Sequence, residues 1–143
     1  MKKIDVFLGG TCGENRWRND FMPKLDAVGI TYFNPVVDVW NRAAQIIEDE
    51  AKQSARWNLF YLGNPLCGDN SISPYSIFEA ATVPRNNLIV VVSLHEFTNP
   101  ATRKSMSKIA HDLENAGVIV TQWLRDAMDY MVVMKRIENE ELC

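Results

Sequence analysis

Residues 88–94 read LIVVVSL, the most apolar run in the chain. A run this short, rich in β-branched residues and without polar alternation, reads as a strand covered on both faces. Strands of that kind sit in the middle of parallel sheets, which need helices on both sides. The remaining sequence should therefore alternate strands with helices, and it does.

Before this run, residues 58–62 read as a third strand closed by Gly63-Asn64-Pro65, and a short helix is expected over about 75–83. Residues 4–8 read as a first strand running into Gly9-Gly10. Trp17, Phe21, Leu25 and Val28 repeat at helical spacing over 16–28, with Gly29 as the expected C-cap. Residues 30–33 form a second strand stopped by Asn34-Pro35, and 40–54 a half-exposed helix carrying Glu48-Asp49-Glu50. Beyond the central run, a polar helix over 102–116 ends at Gly117, followed by a fifth strand at 118–121 and a last helix at 124–141. The expected fold is α/β: one domain over 1–143, an open five-stranded parallel sheet with helices on both faces. The alternation does not give the strand order, for which the flavodoxin-like 2-1-3-4-5 is the expectation.

The chain has 143 residues, of which 47% are hydrophobic and 23% charged, as in an ordinary globular domain. A net charge of −3 argues against holding nucleic acid polymers through their phosphates. No segment reads as a signal peptide or approaches the apolar length of a membrane helix. Cys12, Cys67 and Cys143 are odd in number and widely spaced, so they are expected to be reduced thiols in a cytoplasmic protein. His95 and His111 have no ligand-spaced companions, and neither a metal site nor a cofactor is expected.

In open α/β sheets ligands bind beyond the carboxyl ends of the strands. The loops there carry the unusual residues. GGTCGENRWR (9–18) places three glycines and several donors at a strand-to-helix junction, a setting suited to a phosphate or to a plain tight turn. It matches neither the P-loop nor the dinucleotide fingerprint. NPVVDVW (34–40) combines Asn34, Asp38 and Trp40: Asp38 suits a helix cap or a ligand contact, and Trp40 a core position or a plate for a base. SPYSIFEAAT (73–82) sets one carboxylate, Glu79, among apolar neighbours. Its local pattern favours a solvated helix face, although a carboxylate there can also attack an anomeric carbon.

Taken together, DVFLGGTCGENRWR (5–18), ITYFNPVVDVW (30–40) and YSIFEAA (75–81) resemble the nucleoside 2-deoxyribosyltransferase-like proteins, in the family's order. The resemblance implies the flavodoxin-like fold and chemistry at the N-glycosidic bond of 2-deoxyribonucleosides or their 5′-monophosphates, by transfer or hydrolysis. It makes Glu79 the nucleophile of a covalent glycosyl intermediate and Ser76 a sugar or phosphate contact. Gly9, Gly10 and Thr11 would line the sugar pocket, and Asn34 and Asp38 would lie near the base. Trp17, Trp40 and Tyr75, aromatic residues flanking the same loops, complete the expected substrate contacts. Many members carry an acidic element just before the nucleophile; here Ser73-Pro74-Tyr75 stands there, leaving Asp69 and Asp38 as candidates for the general acid.

The implied partner is a small nucleoside or nucleotide, and relatives of this fold imply a homodimer or higher homo-oligomer. A more distant similarity to TIR-like domains implies an NAD glycohydrolase instead. A non-catalytic nucleotide-binding or sensing module is the reading from a different class.

Overall fold

The computed structural model describes residues 3–11, 17–63, 73–85 and 87–141. The elements alternate as β1 (Val6–Gly10), α1 (Trp17–Ala27), β2 (Tyr32–Phe33), α2 (Arg42–Ser54), β3 (Trp57–Leu62), α3 (Pro74–Thr82), β4 (Leu88–Val92), α4 (Pro100–Asn115), β5 (Ile119–Thr121) and α5 (Leu124–Glu141). A single 3₁₀ turn, Leu94–Glu96, follows β4. The five strands form one sheet of order 2-1-3-4-5, and every pairing is parallel. The expected flavodoxin-like topology is the observed one.

The run LIVVV is buried at all five positions, as are β1 and β3 beside it. Its lack of alternation hides a period of two. Ile89 and Val91 join Val6, Leu8, Leu59 and Tyr61 under α1 and α5. Leu88, Val90 and Val92 join Phe7, Phe60 and Leu62 under α2, α3 and α4. Each face is apolar because each meets helices, so the strands read as continuous hydrophobic runs.

Most boundaries shift by a residue or two from expectation, and three of the shifts have a local reason. Gly9 and Gly10 belong to β1 rather than to the loop after it, opposite Phe60 and Tyr61. A Cβ on Gly9 would strike the Phe60 ring, and Gly10 adopts φ +115 against the Tyr61 backbone, so only glycine lets β1 continue there. Strand β2 keeps only two residues because Asp5 and Thr31 exchange side-chain bonds ahead of it. Asp5 N donates to Thr31 Oγ1 at 2.9 Å, and Thr31 N donates to Asp5 Oδ2 at 2.9 Å. Ser93 and Leu94 leave the central strand, which ends at Val92, and Leu94 enters the 3₁₀ turn.

The helix ends follow their chemistry. Gly29 (φ +75) and Gly117 (φ +88) stand just past α1 and α4, where a left-handed residue closes a helix. Asn41, not Asp38, caps α2, with its side chain accepting from Ala44 N at 2.9 Å. Ser73 caps α3 ahead of Pro74, a residue favoured at the first helical position. Among the described residues, no helix is long and apolar enough to cross a membrane. Cys12, Cys67 and Cys143 lie outside the described residues.

Candidate functional site

A cleft of about 690 Å³ opens where the sheet's carboxyl end meets α2 and α3, within the range of small-molecule sites. Phe7, Gly9 and Gly10 of β1 form one side of it, and Pro35, Val36, Val37 and Trp40 come from the segment after β2. Helix α2 contributes Gln45, Glu48, Asp49 and Lys52, while α3 contributes Tyr75 and Glu79. Phe7 is stacked on Phe33 with centroids 5.8 Å apart, an aromatic base for the cleft next to the two glycines.

Glu79 reaches the cleft because α3 is fixed by its buried side. Ala80 packs against the sheet, and buried Ser76 donates to the N-cap Ser73 Oγ at 2.9 Å. Tyr75 and Glu79, four residues apart, therefore share the helix face that lines the cleft. Tyr75 is 63% exposed and stacks on Phe78.

The Glu79 carboxylate is not solvated freely. Lys52 Nζ donates to its Oε2 at 2.8 Å, and the side chains are only 17% and 13% exposed, respectively. The same ammonium lies 3.6 Å from Glu48 Oε1 and 3.5 Å from Asp49 Oδ1. It also stands 5.7 Å from the Phe7 ring centroid, within cation–π range. Burial of the ammonium works against its charge. The hydrogen bond to Glu79 and the fields of Glu79, Glu48 and Asp49 outweigh that, so the Lys52 pKa stands above the ordinary 10.5.

The other side of the cleft is braced by Arg18, which is buried. Its Nε donates to Leu8 O at 2.9 Å, Nη1 to Thr11 O at 2.9 Å and Nη2 to Gly10 O at 3.2 Å. A planar guanidinium gathers diverging carbonyls in this way, holding the end of β1 in place.

Of the residues singled out by sequence, the structure brings Gly9, Gly10, Trp40, Tyr75 and Glu79 together on the cleft wall. Trp40 is 62% exposed there, so it is not core. Thr11 instead ties β1 to β3, its hydroxyl donating to Gly63 O at 2.9 Å. Trp17 is buried in the core under α1, with its ring 4.9 Å from that of Tyr61 and its indole N–H donating to Thr11 O. Asn34 accepts from Val36 N at 3.1 Å, shaping the turn into the cleft-lining segment. Ser76 serves the α3 cap, and Asp38 is exposed outside the cleft wall. Asp69 lies outside the described residues. Among the described residues, no group of His, Cys, Asp and Glu could hold a metal ion.

Sequence reading passed over Lys52, Glu48, Asp49, Gln45 and Arg18. One signal was present: 45, 48, 49 and 52 repeat as i, i+3, i+4 and i+7, a polar stripe along one face of α2. Such a stripe suits water as well as a site. Only the packing of Ala51 on the sheet turns it toward Glu79.

No significant match was found among curated proteins or among solved structures. The profile described as Nucleoside 2-deoxyribosyltransferase like matches residues 3–97, from ahead of β1 through the 3₁₀ turn after β4. That span covers more than half of the chain and contains the whole described cleft wall. The chain belongs to the nucleoside 2-deoxyribosyltransferase-like family.

Proposed function

We propose that this chain cleaves the N-glycosidic bond of 2-deoxyribonucleosides or their 5′-monophosphates, with Glu79 as nucleophile. The observation carrying this reading is the Glu79 carboxylate on the cleft wall, one oxygen held by Lys52 at 2.8 Å. In the first step a Glu79 oxygen bonds to C1′ as the C1′–N bond breaks. Its electron pair leaves with the base, which takes a proton from an acid. In the second, a new base or water attacks C1′ and frees the carboxylate. Without a 2′-hydroxyl, the oxocarbenium-like transition state is reached more easily.

Gly9 and Gly10 let a sugar approach bare backbone, while Trp40 and Tyr75 offer aromatic faces to a base. Asp69, on the segment 64–72, is the acid this reading retains. The whole chain acts as one domain, in the cytoplasm, as a homodimer or larger assembly. Val39, Trp40, Ile47 and Phe78 support assembly: all are more than half exposed, on elements that line the cleft. A sedimentation profile showing only monomer at micromolar concentration would count against it.

The test is base release from a panel of deoxyribonucleosides and their monophosphates, with and without an acceptor base. Release is expected from the wild-type chain, and Glu79→Gln should lower it by at least about 10³-fold. A second reading, nucleotide binding without turnover, is favoured by one observation. Each described carboxylate near Lys52 is paired with it rather than poised as a proton donor. Ligand binding by a wild-type chain that releases no base from any member of the panel would select it.

A further inference from the structure

A carboxylate nucleophile has two requirements that conflict. It must be held still, and it must keep a lone pair and its charge available for attack. A lysine paired with Glu79 alone would hold it but mute its charge. It would also be left as an uncompensated buried cation once Glu79 became a neutral glycosyl ester. The arrangement around Lys52 avoids both outcomes. Its ammonium bonds Glu79 Oε2 at 2.8 Å, and Glu48 and Asp49 stand at 3.6 and 3.5 Å. Among the described residues, Oε1 of Glu79 has no hydrogen-bond partner.

The identity of the helix matters as well. Glu48, Asp49 and Lys52 are all on α2, whereas Glu79 alone is on α3. The contacts within α2 are i, i+4 and i, i+3 pairs that the helix maintains whatever α3 does. The contact with Glu79 is the one that chemistry would alter.

We infer that Lys52 is the positioning residue of the nucleophile: it holds Glu79 by Oε2, leaves Oε1 for attack, and is retained by Glu48 and Asp49 when Glu79 becomes the ester. This rests on the reading of Glu79 as nucleophile. Bond formation at Oε1 moves one carboxylate electron pair to C1′, the base leaves with the C1′–N pair, and Lys52 keeps its protons throughout. Its part is to fix geometry and to balance charge.

The experiment uses the full chain and combines kinetics with structure. Lys52→Met should lower kcat for base release about 10²-fold while KM stays within about threefold, the pattern of an interaction that matters in the transition state. Lys52→Arg should recover part of that loss. Melting curves will show whether each variant is folded. Crystal structures of Glu79→Gln, which mimics the neutral ester, and of Lys52→Met need no turnover. Lys52 should stay beside Glu48 and Asp49 in the first, and the Glu79 carboxylate should leave its place on the cleft wall in the second. A folded Lys52→Met with kcat within threefold of wild type, or with only a raised KM, overturns the inference while leaving Glu79 as nucleophile. So does a Lys52 that swings away in the Glu79→Gln structure. If the wild-type chain releases no base at all, the nucleophile reading fails first, and the two crystal structures decide the positioning claim.

Discussion

Two cations brace the same cleft from opposite sides, and they do different work. Arg18 turns its guanidinium on three main-chain carbonyls at the end of β1, whereas Lys52 turns its ammonium on three carboxylates of α2 and α3. Carbonyls cannot ionise, so these three contacts of Arg18 shape backbone and do not titrate away. Carboxylates carry charge that chemistry can consume, so the surroundings of Lys52 can change during a reaction. The contrast also explains the residue types. A planar fork suits fixed, diverging acceptors, and a compact ammonium suits a set of partners it can share.

Breaking the Arg18 side should cost stability before anything else. Arg18→Met would deprive three buried or half-buried carbonyls of a charged donor, and about 3 kcal/mol of stability should be lost. In a chain of this size the melting temperature should fall by roughly 10 °C. Arg18→Lys should recover little of that, because a point charge cannot reach all three acceptors. If thermal unfolding of Arg18→Met matches the wild type, the bracing role assigned to Arg18 is wrong. The Lys52 variants should show the opposite balance, with the loss of activity outweighing the fall in melting temperature.

A third pair sharpens the contrast because it is neither braced on backbone alone nor near the cleft. Lys135 Nζ bonds Asp5 Oδ2 at 2.8 Å and Gly29 O at 2.9 Å, joining α5 to the start of the sheet. Burial pushes the Asp5 pKa up, but the Lys135 bond and charge and the Thr31 bonds outweigh it, so the net shift is downward from 3.8. A depressed carboxylate stabilises the fold above its unfolded value. That contribution is complete above about pH 4 to 5 and is lost as pH falls through the folded value. Lys135→Met should therefore remove only about 1 kcal/mol at neutral pH, discounted for the half-exposed lysine. It should also move acid unfolding to higher pH. Coincident acid transitions for the variant and the wild type would remove Lys135 from this account. Lys52 has the reverse sign: its raised pKa stabilises the fold below 10.5, and the contribution is lost as pH rises through the folded value.

Much of this was legible in the chain itself, and the reasons are local. LIVVV and the glycines after α1 and α4 each constrain their own few residues, so strand and cap could be read where they stand. Glycine at 9 and 10 was legible as special, but one reason for it was not. Close approach to Phe60 and Tyr61 is a contact across fifty residues of sequence, and no local pattern reports it. The two tryptophans make the same point. Trp17 and Trp40 both read as candidate ligand contacts, and only packing separates them, with one 5% and the other 62% exposed.

The alternation of elements, the sheet buried on both faces and the family were written along the chain, because these follow from hydrophobic period, turn chemistry and motif order. The order of the strands was settled by which edges pair, 2-1-3-4-5, and no local pattern reports that. Tertiary structure alone decided what surrounds Glu79. From the residues of 73–82 it was an acid on a helix, facing water as readily as a substrate. The register of α2 against α3 placed Lys52 on one oxygen and Glu48 and Asp49 behind it. Charges on separate helices meet only when the sheet beneath has fixed both, and that distance is not written in either helix.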